Sequence, residues 1–123
     1  MLRRSFLQSL PFFGMFGGSQ KSTETEQVVF GSGVKHIIKN SQIIYSEFDN
    51  GLKTWFKNHK YHREDGPAIE YSNGVKSWWL NGKCHREDGP AVVHPSGYQA
   101  WYLNSELMTE EEWKKAILSK KQS

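Results

Sequence analysis

His62, Glu64 and Asp65 are side chains of the kinds that bind metals or move protons, and His85, Glu87 and Asp88 repeat them in the same order further along the chain. Two such groups could converge on one ion, and that would make the chain a metal-dependent hydrolase. Consecutive residues on an extended loop point in different directions, however, so the ligand geometry would have to be assembled across the two copies. An active site is also normally singular, whereas this group recurs once per copy. Recurrence favours a structural task. Arg63 and Arg86 then serve as local partners for carboxylates such as Asp65 and Asp88, His62 and His85 pack against aromatic neighbours, and the acids satisfy turn amides. On this reading the chain is not an enzyme: it has no catalytic residue, no metal site and no cofactor. A Gly-rich phosphate loop, a paired-Cys motif and a nucleophile elbow are all missing from the sequence.

The full string is His-Arg-Glu-Asp-Gly-Pro-Ala, at His62 to Ala68 and again at His85 to Ala91, offset by 23 residues. Similarity at a fixed period marks a repeat architecture, in which each unit leaves an apolar face bare until its neighbour covers it. The register extends beyond the string: Lys53, Trp55, Asn58, Lys60 and Gly74 correspond to Lys76, Trp78, Asn81, Lys83 and Gly97. Two full units therefore run from Lys53 to Val75 and from Lys76 to Tyr98. A third begins at Gln99, keeps Trp101, Tyr102, Leu103 and Asn104 in place, and leaves the pattern at Ser105, as a closing unit would. Upstream, Lys35 to Asn40 aligns with Lys76 to Asn81, and Asp49 to Leu52 aligns with Ser72 to Val75, giving a shorter opening unit without the string.

Each unit reads as two strands joined by tight turns. Asn81-Gly82 and Asn73-Gly74 lie between β-formers and predict two-residue hairpins with positive φ. His59 stands where the second unit has Gly82, which predicts a less regular turn at that place. Alternation puts Ile69 with Tyr71, and Val92 with His94, on one face. Pro67 and Pro90 give no backbone hydrogen bond and hold the preceding glycine out of helix, so the repeated string is a loop or bulge entering a strand. The expected fold is all-β, an antiparallel meander of repeated β-hairpins closed by one C-terminal amphipathic helix.

Aromatic residues come in pairs: Trp55-Phe56, Trp78-Trp79 and Trp101-Tyr102. Strand neighbours face opposite sides, which makes one ladder of Trp55, Trp78 and Trp101 and another of Phe56, Trp79 and Tyr102. One reading makes the tryptophan ladder core and places the mixed ladder under the terminal helix or a loop. The other makes Phe56, Trp79 and Tyr102 an exposed binding strip for a partner. The helix starts at Thr109, with Glu112 completing a capping box, and sets Trp113, Ala116 and Ile117 on one face with Glu110-Lys114 and Glu111-Lys115 pairs outside.

Net charge is +3, yet residues 27–108 hold nine bases against eight acids. Phosphate binding usually shows a clustered basic footprint, so nucleic acid is a poor partner for this region and a protein is a better one. Cys84 is the single cysteine, which excludes an intrachain disulfide, and it shares the slot of Tyr61 and Leu107, a half-buried apolar position. Residues 1–27 differ in kind. Arg3-Arg4-Ser5-Phe6-Leu7 resembles the twin-arginine export signal, with Leu10 to Gly18 as its apolar segment, so the chain is either exported or cytoplasmic with an apolar arm. Ser19 to Gln27 reads as a linker. The expected division is an arm or signal with its linker at 1–27, a repeat domain at 28–108 and a capping helix at 109–119.

Trp78-Trp79-Leu80-Asn81-Gly82-Lys83 followed by His85 to Ala91 resembles the degenerate MORN-like repeats of phage, giant-virus and bacterial proteins, related to the MORN-repeat antitoxin-like group. The resemblance covers roughly Lys35 to Asn104. It implies a twisted ladder of β-hairpins used as a non-catalytic scaffold or protein-binding surface, an inhibitor or antitoxin among the roles, with membrane association in the wider class. Leu107 to Glu112 resembles the start of the helical cap that ends such arrays.

Overall fold

The computed structural model describes residues 25–122. Twelve strands precede one helix: β1 (Glu26–Gly31), β2 (Val34–Lys39), β3 (Gln42–Phe48), β4 (Lys53–Lys57), β5 (Lys60–Tyr61), β6 (Ile69–Glu70), β7 (Lys76–Ser77), β8 (Trp79–Leu80), β9 (Lys83–Cys84), β10 (Val92–Val93), β11 (Gln99–Leu103), β12 (Glu106–Met108) and α1 (Glu110–Gln122). The first strand begins inside the segment read as linker, and the helix runs three residues past its expected end. The calls on the earlier residues, the twin-arginine motif and apolar arm, lie outside the described residues.

The fold is an all-β antiparallel meander closed by a C-terminal helix. Its sheet runs β1-β2-β3-β4-β6-β7-β10-β11, and every neighbouring pair is antiparallel. The meander has side branches that a plain zigzag lacks. Lys53-Thr54, Lys76-Ser77 and Gln99-Ala100 stay in the main sheet, and the chain then leaves it to form the hairpins β4-β5, β8-β9 and β11-β12. Each hairpin is followed by a return loop, which the heptapeptide supplies in the first two cases and α1 replaces in the third.

Strand register aligns His36, Ser46, Thr54, Ile69, Ser77, Val92 and Ala100 in one row across the sheet. Apart from His36, small and β-branched side chains fill it, and Ser46, Thr54, Ile69, Ser77 and Ala100 are buried. Ala68 and Ala91 are 0% exposed at the strand entrances. Their carbonyls accept the Trp55 and Trp78 N–H groups, and their own N–H groups reach the Ser77 and Ala100 carbonyls. A small side chain suits so close a meeting of three strands. On the opposite face the next row reads Lys35, Glu47, Lys53, Glu70, Lys76, an alternation of charge in which each successive pair is of opposite sign.

The hairpin turns share one geometry. Asn81 and Gly82 have φ of 51° and 81°, and Asn58-His59 (53°, 66°), Asn104-Ser105 (51°, 68°) and Asn40-Ser41 (53°, 64°) match them. The turn expected to be irregular at His59 is therefore regular. Asparagine leads each pair and tolerates the left-handed region, so the second position accepts a side chain. The Asn73-Gly74 turn departs from expectation in the other direction. Only Gly74 has positive φ, the Gly74 N–H bonds the Tyr71 carbonyl, and the Tyr71 N–H bonds the Val75 carbonyl, which makes a three-residue loop with a glycine bulge. Gly51 and Gly97 close equivalent loops.

Thr109 and Glu112 form a reciprocal capping box at the start of α1: the Thr109 N–H donates to Glu112 Oε1 at 2.9 Å and the Glu112 N–H donates to Thr109 Oγ1 at 3.1 Å. Trp113 and Ile117 are buried with Leu103, and Trp101, Met108 and Ala116 pack around them. Glu110 pairs with Lys114 on the outside. The helix thus packs on the tryptophan ladder at Trp101, where the mixed ladder was expected under either the helix or a loop.

Candidate functional site

The two heptapeptides have the same conformation and the same bonds. In each, the histidine N–H donates to the carbonyl of its own unit's tryptophan, Trp55 for His62 and Trp78 for His85. The ring then spans the seam to the next unit: Nδ1 of His62 accepts the Asn81 N–H and Nδ1 of His85 accepts the Asn104 N–H, both at 2.9 Å. An accepting Nδ1 places the proton on Nε2, which faces Glu64 at 3.2 Å and Glu87 at 2.8 Å. The histidines thus tie neighbouring units together through hydrogen bonds. The glutamates meet histidine side chains in place of turn amides.

Each arginine is held on three sides. Its guanidinium lies over its unit's tryptophan, 3.9 Å from the Trp55 ring for Arg63 and 3.8 Å from the Trp78 ring for Arg86. Nε donates to Asp65 at 3.0 Å or Asp88 at 2.8 Å, and Nη1 donates to the carbonyl of Pro67 at 3.1 Å or Pro90 at 3.0 Å. Arg63 adds Glu70 at 3.2 Å, whereas the second unit has Val93 at that place. Both glycines of the string pack under these groups, and a Cβ on Gly66 or Gly89 would lie 3.0 or 3.1 Å from the arginine Cζ. The whole string is therefore one cassette in which charged side chains fix a loop and a stacked guanidinium covers a tryptophan.

The third unit shows what the cassette is for. Thr109 stands at the slot of Arg86, and Trp113 one turn on brings its ring to 4.7 Å from Trp101, filling the place the guanidinium takes elsewhere. Its indole N–H donates to the Arg86 carbonyl at 2.9 Å, and Lys120 reaches Glu87, so α1 also clamps the second cassette. Lys120 first, and then the His85 ring, hold the Glu87 carboxyl below the ordinary glutamate range. Nothing in the composition of the third unit announced this exchange. The slot register of Thr109 was the available signal.

Among the described residues, no group of three or more His, Cys, Asp or Glu side chains could hold a metal ion. Arg63, Asp65, Trp78, Arg86 and Asp88 line an open groove between the two cassettes, where Nε and Nη1 of each arginine and Oδ1 of each aspartate are engaged within the loops.

Phe56, Trp79 and Tyr102 all lie half-buried. Phe56 stacks on Tyr61 at 5.2 Å, Tyr61 meets Trp79 at 5.6 Å, and the Trp79 indole N–H donates to Ser77 Oγ at 2.9 Å. In the next unit Cys84 takes the place of Tyr61, buried against Trp79 in register, and burial pushes its thiol up to about 11. Trp79 also lines a shallow groove of about 360 Å³ with Tyr71, Val75, Ser77, Val92 and His94. Exposed Tyr98 lies edge-on to His94 at 4.9 Å beside it. Of the three residues grouped by alternation, Phe56 and Trp79 are linked through Tyr61, whereas the presence of Tyr71 and His94 beside Trp79 was not legible, because they come from strand ends and loop tips.

Fold and seams together define a tandem β-hairpin repeat protein with a helical closure. Comparison with protein-family models, curated proteins and solved structures finds no match.

Proposed function

We propose that the chain is a non-catalytic repeat scaffold whose Trp79 face binds another protein, in the manner of an inhibitor or antitoxin. One observation carries this reading: both copies of the acid, base and histidine set are spent on the same internal bonds, so chemistry is absorbed by architecture. What is left for a partner is an aromatic surface, with Tyr71, Trp79 and His94 lining a shallow groove, exposed Tyr98 beside His94, and Phe56 linked to Trp79 through Tyr61. Rigid aromatic side chains give much contact area at small entropic cost, and they are enriched among residues that dominate binding energy. Likeness to MORN-like repeats, which resemble this chain from Lys35 to Asn104, supports the same role.

The test is affinity purification of the full chain from its native host with quantitative mass spectrometry. A single stoichiometric protein should be recovered with wild type, and lost with Trp79→Ala, Phe56→Ala or Tyr102→Ala while circular dichroism stays native. Folded bait that retains no stoichiometric protein, or retains it equally in all three variants, refutes the reading.

A further inference from the structure

The two ends of the array are treated differently. At the far end α1 stands in for a third cassette and covers Trp101. At the near end β1 is six residues long and, among the described residues, is paired with a strand only on its β2 side. Its sequence, Glu-Gln-Val-Val-Phe-Gly, contains none of the lysines or prolines that usually blunt an open edge, and the register irregularity of this region lies between β2 and β3 instead. Val28 and Phe30 point to one side and are 49% and 68% exposed.

We propose that β1 is a homodimerisation strand, pairing antiparallel with β1 of a second copy about Val28 so that two arrays form one continuous sheet. Side-chain alternation requires residues of equal parity to face each other across a two-fold axis normal to the sheet. Centring on Val28 then sets Val28 against Val28 and Phe30 against Glu26 of the other copy. Phe30 is in register with Lys35, and Lys35 begins the alternating row Lys35, Glu47, Lys53, Glu70, Lys76. The incoming Glu26 lands at the head of that row, two strands or roughly 10 Å from Lys35. It continues the alternation of sign while Phe30 fills the space between. Each β1 brings one charge, and no like charges meet. The occupant is therefore a second copy, whose edge complements this one in hydrogen bonding, apolar area and charge.

Sedimentation velocity on the full chain, from low-micromolar to near-millimolar concentration, tests this. Wild type should sediment as a species of twice the chain mass. Val28→Lys puts two lysines face to face across the axis and should be monomeric, as should Val28→Glu. An equimolar mixture of the two should restore the dimer. Val28 is half exposed, and native circular dichroism checks that each variant folds. A wild-type monomer throughout the range overturns the proposal, including one whose own residues 1–24 occupy the edge. So does a dimer indifferent to Val28→Lys, or a mixture that stays monomeric. None of these readouts depends on the Trp79 face, so this proposal and the binding reading stand or fall separately.

Discussion

Replacing His85 by alanine isolates the seam between the second and third units. The ring is 7% exposed, accepts the Asn104 N–H at Nδ1 and bonds Glu87 through Nε2. A backbone donor robbed of its acceptor costs about 1–2 kcal/mol at a site where water can reach part of it. The space left by a buried ring adds about 1 kcal/mol. Glu87 is half exposed and keeps Lys120, so its share is about 0–1 kcal/mol. The sum is about 2–4 kcal/mol, a large part of the roughly 5–15 kcal/mol that stabilises a domain of this size. Melting should fall by roughly 10–25 °C. Urea unfolding followed by tryptophan fluorescence gives the energy directly. Two further variants separate the terms. Asparagine can present Oδ1 where Nδ1 was and so keep the seam bond, whereas glutamine can present its amide where Nε2–H was and keep only the Glu87 bond. His85→Asn should therefore recover more stability than His85→Gln. If glutamine restores wild-type stability while asparagine is as damaged as alanine, the seam bond is not what the histidine is for.

Gly89→Ala should cost about 1–3 kcal/mol, because its Cβ would crowd the Arg86 guanidinium, and the penalty should shrink in an Arg86→Ala background. Additive costs in that cycle would remove the crowding argument. With its thiol pushed up to about 11, Cys84 should react with a thiol reagent at neutral pH only after denaturant is added. Fast labelling of native protein would contradict its burial. Glu87 has its native pKa below the ordinary 4.5, so its pairing stabilises the fold above that range and loses this contribution as pH falls through the lower native value. The stability difference between wild type and Lys120→Ala should be present at neutral pH and vanish in strong acid. A difference that persists or grows there would refute the pairing.

The repeat, its phase and the capped helix could be read from the sequence because they are local: a duplicated string, Asn-led turns, and Thr109 with Glu112 three residues on. The seams could not. Nδ1 of His62 bonds an amide 19 residues away, a relation set by how hairpins lie side by side and invisible in either copy alone. The charge row from Lys35 to Lys76 is likewise scattered along the chain, one member per strand, and emerges only in register. The side covered by α1 was left open by the sequence for a related reason. Alternation tells that Trp101 and Tyr102 face apart but not which of them the helix meets, and Trp113 settles that by occupying the position of a stacked arginine. At His59 a rule about glycine was outweighed by the asparagine before it.

Because the helix enters at the slot where another cassette would begin, the closure does not depend on how many cassettes precede it. Unequal recombination that inserts or deletes one whole period would leave each remaining junction with its histidine-to-asparagine seam bond. Such an event changes the width of the aromatic surface without asking the rest of the molecule to readjust. Selection can then change the length of this protein by copying, with no need for new contacts to be invented.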